Sequence, residues 1–93
     1  MLETLFDVIV ERKQNMPAGS YTAQLFEGGE SRILRKVGEE ALEVIFAAQG
    51  EGDERLVEES ADLLYHLLVL LVARGLTLEQ LYDELARRRK GSA

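Results

Sequence analysis

The sequence predicts an all-α protein: an antiparallel bundle of about four to five helices whose core is completed by dimerisation. Apolar residues recur at helical spacing along most of the chain, and glycine-containing segments divide it into helical stretches. The stretch from Leu63 to Val72 is apolar on nearly every side. A helix that is apolar all round is surrounded by protein, and one chain of 93 residues can scarcely provide that cover.

The first part of the chain predicts two helices. An amphipathic helix is expected over residues 2–14, and the turn at Pro17 ends it. The next segment, 21–26, is predicted as one short helix that is capped by Ser20 or Thr22 and ended by paired glycines.

The central part predicts two long helices joined by a short connection. The first is expected over residues 31–49 with Ser31 as its N-cap, and the second over residues 54–74 with Asp53 as its N-cap. Because the connection between them is short and contains glycine, the two helices are predicted to be antiparallel neighbours.

A last helix completes the chain. Gly75 is expected to end the long helix before it, and Thr77 and Gln80 form a predicted capping box. We see no internal repeat, no low-complexity stretch and no second domain, so residues 1–93 are predicted to form one domain.

Composition narrows the classes of function. The net charge of −6 makes nucleic acid a poor partner, because little would be gained from neutralising phosphates. There is no cysteine, which excludes disulfides and thiolate chemistry. The N-terminus lacks the features of a signal peptide, and the densest apolar run is too short to span a bilayer. A cytoplasmic protein without a membrane partner is therefore expected.

Four acidic residues carry the main chemical signal. Glu40 and Glu43 stand three residues apart on one predicted helix, as do Glu59 and Asp62 on the next, so each pair shares a helix face. On antiparallel neighbours these carboxylates would converge, and such a cluster is best tolerated around a hard cation. All-oxygen ligation suits Mg²⁺ or Mn²⁺ rather than zinc. The reaction class that follows is hydrolysis of a phosphoanhydride.

Each of these residues also has a plainer interpretation. Glutamate is common on exposed helix faces, so the acids of a non-catalytic helical dimerisation module would look similar. Lys36 can form an ion pair with Glu40 or contact a phosphate. His66 is interpreted as a hydrogen-bonded structural group rather than a ligand, and Arg12 and Lys13 as a solvated helix end that could meet a phosphate.

Several segments resemble a known family. EExxE followed by ExxD on adjacent helices resembles the all-α nucleoside-triphosphate pyrophosphohydrolases of the MazG and dimeric dUTPase group. Within that group the chain is similar to the phosphoribosyl-ATP pyrophosphatases of histidine biosynthesis. The segments that carry this closer resemblance are Glu11-Arg12-Lys13, Pro17-Ala18-Gly19-Ser20-Tyr21-Thr22, Leu25-Phe26, Lys36-Val37-Gly38-Glu39-Glu40 and Ala61-Asp62-Leu63-Leu64-Tyr65-His66-Leu67.

The resemblance implies an activity and a set of site residues. The substrate would be 1-(5-phosphoribosyl)-ATP, cleaved to 1-(5-phosphoribosyl)-AMP and pyrophosphate by a homodimer that requires Mg²⁺, with Mn²⁺ as a substitute. The family's metal carboxylates match Glu40, Glu43, Glu59 and Asp62. The catalytic glutamates match Glu39, as a ligand or as the residue that orients water, and Glu40. Substrate contacts are assigned to Lys36, Arg12, Lys13, Ser20, Tyr21 and Thr22.

Two other functions stay open at this point. One is a house-cleaning pyrophosphatase for non-standard nucleoside triphosphates, which the PxGSYT-like segment at Pro17 disfavours. The other is the non-catalytic dimerisation module described above, which predicts neither a response to Mg²⁺ nor release of pyrophosphate.

Overall fold

The computed structural model describes residues 1–91, and the regular secondary structure in that part of the chain is entirely helical. A π-helical turn, Ala47–Glu51, connects the two longest helices. The all-α prediction is confirmed, whereas the prediction of one domain over residues 1–93 includes two residues outside the described part. The helices are α1 (Leu2–Asn15), α2 (Tyr21–Gly28), α3 (Glu30–Phe46), α4 (Asp53–Ala73) and α5 (Leu78–Gly91).

The core forms where α1, α2 and α3 pack against the C-terminal half of α4. Each helix contributes its apolar stripe, and burying one aliphatic side chain stabilises the fold by about 1.5–3 kcal/mol. This packing sets α3 beside α4 along most of its length and leaves their acidic residues next to the core. The buried cluster consists of Phe6, Ile9, Leu25, Ile33, Leu68, Val69, Val72 and Leu78.

Two glycines, rather than polar caps, begin the long helices. Gly29 is the single residue between α2 and α3 and has φ 86°, and Gly52 precedes α4 with φ 95°. Side chains other than hydrogen rarely adopt such angles, so a sharp junction of this kind favours glycine. The predicted N-caps Ser31 and Asp53 are therefore wrong: both residues lie inside the helices that they were expected to precede.

Other predicted helix ends are confirmed. Ser20 is the cap of α2, because its Oγ accepts a hydrogen bond from the Ala23 N–H at 3.1 Å. Before α5, the Thr77 N–H donates to Oε1 of Gln80 at 2.8 Å, and the Gln80 N–H donates to Oγ1 of Thr77 at 3.1 Å. This is the reciprocal capping box that the sequence predicts. Gly75, with φ 72°, follows the end of α4 as expected.

The exposed sides of α3 and α4 carry many large apolar residues. Val57, on α4, is 69% exposed. Because exposed apolar residues are normally scattered singly, seven of them on two adjacent helices form an unusual surface. Within one chain, α4 is thus not surrounded by protein. We call this set the exposed apolar residues of α3 and α4: Leu34, Leu42, Ile45, Phe46, Val57, Leu64 and Leu67.

The last helix turns sharply away from α4, at an angle of 115°. It is anchored by buried Leu78 and by the Tyr82 hydroxyl, which donates to Oε2 of Glu3 at 2.5 Å. Among the described residues, no single helix is long and apolar enough to cross a membrane; α4 and α5 together meet that test, as a bent pair, on length and composition alone.

Candidate active site

Three carboxylates from α3 and α4 converge beside the core. One oxygen atom each from Glu40, Glu59 and Asp62 lies within 4.8 Å of the others. The antiparallel packing causes this meeting, since Glu59 and Asp62 share a face of α4 that lies against the face of α3 carrying Glu40. Oxygen donors at this spacing fit a hard divalent cation such as Mg²⁺.

Glu59 is the buried member of this carboxylate cluster, with 5% of its surface exposed. Burial raises its pKa, and the negative charges of Asp62, Glu40 and Glu43 raise it further, against the lowering effect of Arg55. The net shift is upward although Arg55 contacts this carboxylate, so the charge of Arg55 alone does not offset burial and the neighbouring acids. The arrangement therefore favours a bound cation on electrostatic grounds.

The other two predicted acids lie at the margin of the cluster. Glu43 is exposed and stands outside the close group of three, although its charge still acts on Glu59. Glu39 is more than half exposed and contacts Lys36. The structure thus brings together three of the four predicted metal ligands and places the fourth within electrostatic reach.

Lys36 flanks the cluster on the α3 side. Its Nζ lies 3.3 Å from Oε1 of Glu39 and 3.4 Å from Oε1 of Glu40, so the ion pair anticipated from the sequence is present. Burial lowers the pKa of the ammonium group, whereas contacts with Glu39, Tyr21 and Glu40 raise it by more, and the net shift is upward. The group therefore stays charged at neutral pH beside the carboxylates.

Arg55 flanks the cluster on the α4 side and was not among the predicted site residues. Its Nη2 contacts Oε1 of Glu59 at 2.5 Å, and its Nη1 contacts Oε1 of Glu58 at the same distance. Nε stands 3.8 Å from Oε1 of Glu51. The spacing of four residues between an arginine and a candidate ligand was the signal that could have identified it.

His66 links α2 to the turn of α4 that contains Asp62, through one hydrogen bond to each. Its Nδ1 lies 2.7 Å from the Asp62 carbonyl oxygen, to which it must donate a hydrogen bond. In the neutral ring, Nε2 is then an acceptor, and the Tyr21 hydroxyl donates to it at 2.8 Å. Both ring nitrogens are occupied, so His66 is the hydrogen-bonded structural group that the sequence indicated.

The three residues predicted to contact substrate at the start of α2, Ser20, Tyr21 and Thr22, differ in their exposure to solvent. Thr22 is buried, and its hydroxyl is hydrogen-bonded to the hydroxyl of Tyr65, which places it in the fold rather than at a surface. Ser20 caps α2 but keeps its hydroxyl hydrogen free to donate. Tyr21 is 45% exposed and lies near Lys36. Ser20 and Tyr21 are thus the accessible residues of the segment.

The two basic residues at the end of α1 point to different places. Arg12 pairs with Glu11 and lines an open cleft of about 480 Å³ together with Pro17 and Ser20. Lys13 donates from Nζ to the Val72 carbonyl oxygen at 3.2 Å, beside a separate apolar pocket at the end of α4. Val72 lies about 20 Å along α4 from Glu59, so Lys13 is not brought to the carboxylates.

The fold and the site together define a class: all-α proteins with a carboxylate centre suited to a divalent metal and bordered by cationic side chains. The family model described as phosphoribosyl-ATP pyrophosphohydrolase matches residues 2–89. The chain belongs to this family, a family of hydrolases, and the resemblance noted in the sequence is confirmed.

Curated relatives agree with this assignment. A phosphoribosyl-ATP pyrophosphatase of Metallosphaera sedula is 53% identical over 90 residues, which cover 97% of each chain. One from Pelotomaculum thermopropionicum is 54% identical over 90 residues, covering 97% of this chain and 92% of the relative. A third, from Lactiplantibacillus plantarum, is 53% identical over 87 residues, covering 94% and 82%.

Proposed function

We propose that this protein hydrolyses 1-(5-phosphoribosyl)-ATP to 1-(5-phosphoribosyl)-AMP and pyrophosphate, a step of histidine biosynthesis, with Mg²⁺ as the metal and Mn²⁺ as a substitute. Family membership supports the substrate. The convergence of Glu40, Glu59 and Asp62 supports the metal and carries the proposal, because the three carboxylates repel one another and outnumber the two cations, Lys36 and Arg55, that contact them.

The cluster would hold the metal through oxygen atoms alone. Glu40, Glu59 and Asp62 supply the nearest oxygens, and exposed Glu43 has the side-chain freedom to join them. A bound Mg²⁺ offsets charge on the phosphates and lowers the pKa of water. Burial of Glu59 excludes bulk water from one side of the cluster, which strengthens every electrostatic interaction there.

The residues around the cluster would bind and orient the reactants. The ammonium of Lys36 has three N–H groups and two carboxylate contacts, so one N–H remains for a phosphate oxygen. Exposed Glu39, next to Glu40, can orient the attacking water and accept its proton. Glu39 and Glu40 are thus the proposed catalytic pair.

The cleft beside the α1–α2 turn would receive another part of the nucleotide. Arg12 and Ser20 line it, and Tyr21 follows directly at the start of α2. Lys13 and Thr22, which the family resemblance also suggested, are engaged in contacts within the fold, and we assign them to stability rather than to substrate binding.

The protein would work as a cytoplasmic homodimer that binds neither nucleic acid nor membrane. A second chain could cover the exposed apolar residues of α3 and α4, which would complete the protein environment that α4 requires. The acidic net charge supports the expectation that nucleic acid is not a partner.

One assay tests this function against the alternatives. Pyrophosphate release is measured with phosphoribosyl-ATP, ordinary nucleoside triphosphates and non-standard ones, each with Mg²⁺ and with EDTA. We expect metal-dependent release from phosphoribosyl-ATP at a kcat/KM well above that of the other substrates. Preference for a non-standard triphosphate would indicate a house-cleaning enzyme, and no turnover of any substrate would indicate the dimerisation module.

A further inference from the structure

The two site helices share a short sequence pattern. Residues 36–43, KVGEEALE, and residues 55–62, RLVEESAD, each begin with a cation, which is followed by glutamates three and four positions later and by an acid seven positions later. In this pattern Lys36 is equivalent in position to Arg55, and Glu40 is equivalent to Glu59.

The contacts within the two segments follow the same pattern. In each helix the leading cation bridges both glutamates that follow it, which is the geometry expected of neighbours three and four residues apart. The equivalent contacts are Lys36 to Glu39 at 3.3 Å and to Glu40 at 3.4 Å, and Arg55 to Glu58 and to Glu59, both at 2.5 Å.

Because α3 and α4 are antiparallel, the two segments with this shared pattern are related by a local two-fold arrangement. Glu40 and Glu59 hold equivalent positions and meet in the carboxylate cluster. Because the helices run in opposite directions, the cations that precede them by four residues lie on opposite flanks, each about 6 Å along its helix axis from the level of its glutamate. The cluster thus has one cation on each side.

Arg55 retains hydrogen-bond donors for a ligand. A guanidinium group carries five N–H groups, and the contacts with Glu58 and Glu59 require one each. The distance of 3.8 Å from Nε to Glu51 is too long for a hydrogen bond. The Arg55 side chain is 49% exposed, so its remaining N–H groups are accessible beside a buried carboxylate.

We propose that Arg55 is a second phosphate-binding residue of this site. One nitrogen keeps Glu59 in place, and the remaining N–H groups bind a phosphate oxygen of the nucleotide on the flank opposite Lys36. The phosphate chain then crosses the carboxylate cluster between two cations. The inference rests on the proposed function for the identity of the nucleotide, but its phosphate chemistry can be tested without turnover.

The test measures binding of α,β-methylene-ATP, whose bridging carbon resists cleavage at the position where the substrate is split. Calorimetry in the presence of Mg²⁺ compares the wild-type protein with Arg55→Ala, Arg55→Lys and Arg88→Ala. Arg88 is the matched control, since it also pairs with a glutamate four residues away but lies on α5. Electron paramagnetic resonance measures the binding of Mn²⁺ in the absence of nucleotide. This measurement separates an effect of each variant on metal binding from an effect on phosphate binding.

We expect Arg55→Ala to weaken nucleotide binding roughly tenfold or more, the loss typical of a charge-assisted hydrogen bond, while Mn²⁺ affinity changes less than threefold. Arg55→Lys should recover part of the loss, and Arg88→Ala should match the wild type. Nucleotide affinity within twofold of wild type in Arg55→Ala would overturn the proposal. An equal loss of Mn²⁺ affinity would also overturn it, because Arg55 would then act only through Glu59.

Two results keep this proposal separate from the proposed function. A wild-type protein that binds no nucleotide analogue contradicts a phosphate role for Arg55. A wild-type protein that binds the analogue but releases no pyrophosphate from phosphoribosyl-ATP contradicts the proposed function, and the binding data then decide the role of Arg55 on their own.

Discussion

The hydroxyl oxygen of Tyr21 lies 2.8 Å from Nε2 of His66, although the two residues are 45 positions apart in the chain. The other ring nitrogen of His66 donates to the Asp62 carbonyl oxygen at 2.7 Å. The start of α2 is thereby attached to the turn of α4 that carries a member of the carboxylate cluster. Through this connection, the exposed side of Tyr21 keeps a defined position relative to the candidate metal centre.

Tyr21→Phe tests how much the hydrogen bond between Tyr21 and His66 contributes to the free energy of unfolding. We expect a loss of about 1 kcal/mol in the free energy of unfolding, because Nε2 of buried His66 loses its hydrogen-bond donor. Chemical denaturation followed by circular dichroism measures it. Tyr82→Phe is the matched control: it removes an exposed bond to Glu3 and should cost clearly less. Equal losses in both variants would contradict the structural role assigned to His66.

Glu40→Gln should abolish turnover while the fold survives. An amide cannot supply the charge that a divalent metal requires, so pyrophosphate release should fall by at least roughly a hundredfold. The circular dichroism spectrum should be that of wild type, since Glu40 lies beside the core rather than in it. The control is Asp83→Asn, an equivalent change at an exposed position of α5. Retained activity would remove Glu40 from the ligand set.

Glu59→Gln should raise stability at neutral pH in the absence of divalent metal. Burial and neighbouring carboxylates raise the pKa of Glu59, so the folded state holds its proton at pH values where the unfolded state has lost it. Wild-type stability should therefore fall as pH rises through the window above the ordinary pKa of a glutamate. Melting temperatures of the two proteins, measured in EDTA, should differ at pH 7 and converge toward pH 4.

Metal should reverse this difference. Adding Mg²⁺ at pH 7 should raise the melting temperature of the wild-type protein and leave Glu59→Gln almost unchanged, because a ligand that binds only the folded state stabilises it. If EDTA and Mg²⁺ give the same wild-type melting temperature at millimolar metal, the carboxylate cluster is not a metal site.

Leu64→Glu should convert a dimer into a monomer. Leu64 belongs to the exposed apolar residues of α3 and α4, and a charge placed in an apolar interface would lose its water without gaining a partner. Light scattering at micromolar concentration measures the mass. Val8→Glu is the control, since Val8 is also exposed but lies on α1. A wild-type protein with the mass of one chain would contradict dimerisation directly.

Ser20→Ala should affect both stability and substrate binding. Loss of the cap on α2 should cost about 1 kcal/mol, and loss of the free hydroxyl hydrogen should raise KM roughly three- to tenfold. Thr77→Ala removes the equivalent cap from α5 and should cost a similar amount of stability with KM unchanged. If KM responds alike in both variants, Ser20 acts only as a cap.

The helices of this protein could be predicted because their signals are local. Apolar periodicity predicts their existence, and Thr77 and Gln80 specify a cap through residues only three apart. The starts of α3 and α4 could not be predicted in this way. Ser31 and Asp53 are better caps by preference, but the sharp junctions require positive φ angles, which Gly29 and Gly52 supply.

The sequence predicts the three converging acids and the ion pair of Lys36, but neither Arg55 nor the distant contact of Lys13. Short connections make neighbours of consecutive helices, so the meeting of Glu40 with Glu59 follows from the helical spacing of the acids together with the short connection. The Lys13 contact with Val72 joins residues 59 positions apart, and no local pattern indicates it. Glu43 satisfies the same spacing rule as its neighbours, yet it is exposed and lies outside the close group of three. The reason is that spacing specifies a helix face and not the rotamer of a long side chain.

The π-helical turn Ala47–Glu51, which connects α3 to α4, positions the acids of α4 through its length rather than through its side chains. Gly52, with φ 95°, reverses the chain directly after this turn, so one residue more or less would change the point around the end of α3 at which the chain reverses and hence where α4 begins. Glu59 and Asp62 would then no longer face Glu40. Alanine substitutions in the connector would therefore leave activity intact, whereas a single deletion would dismantle the centre. Part of the chemistry is encoded as a count of residues rather than as their identity.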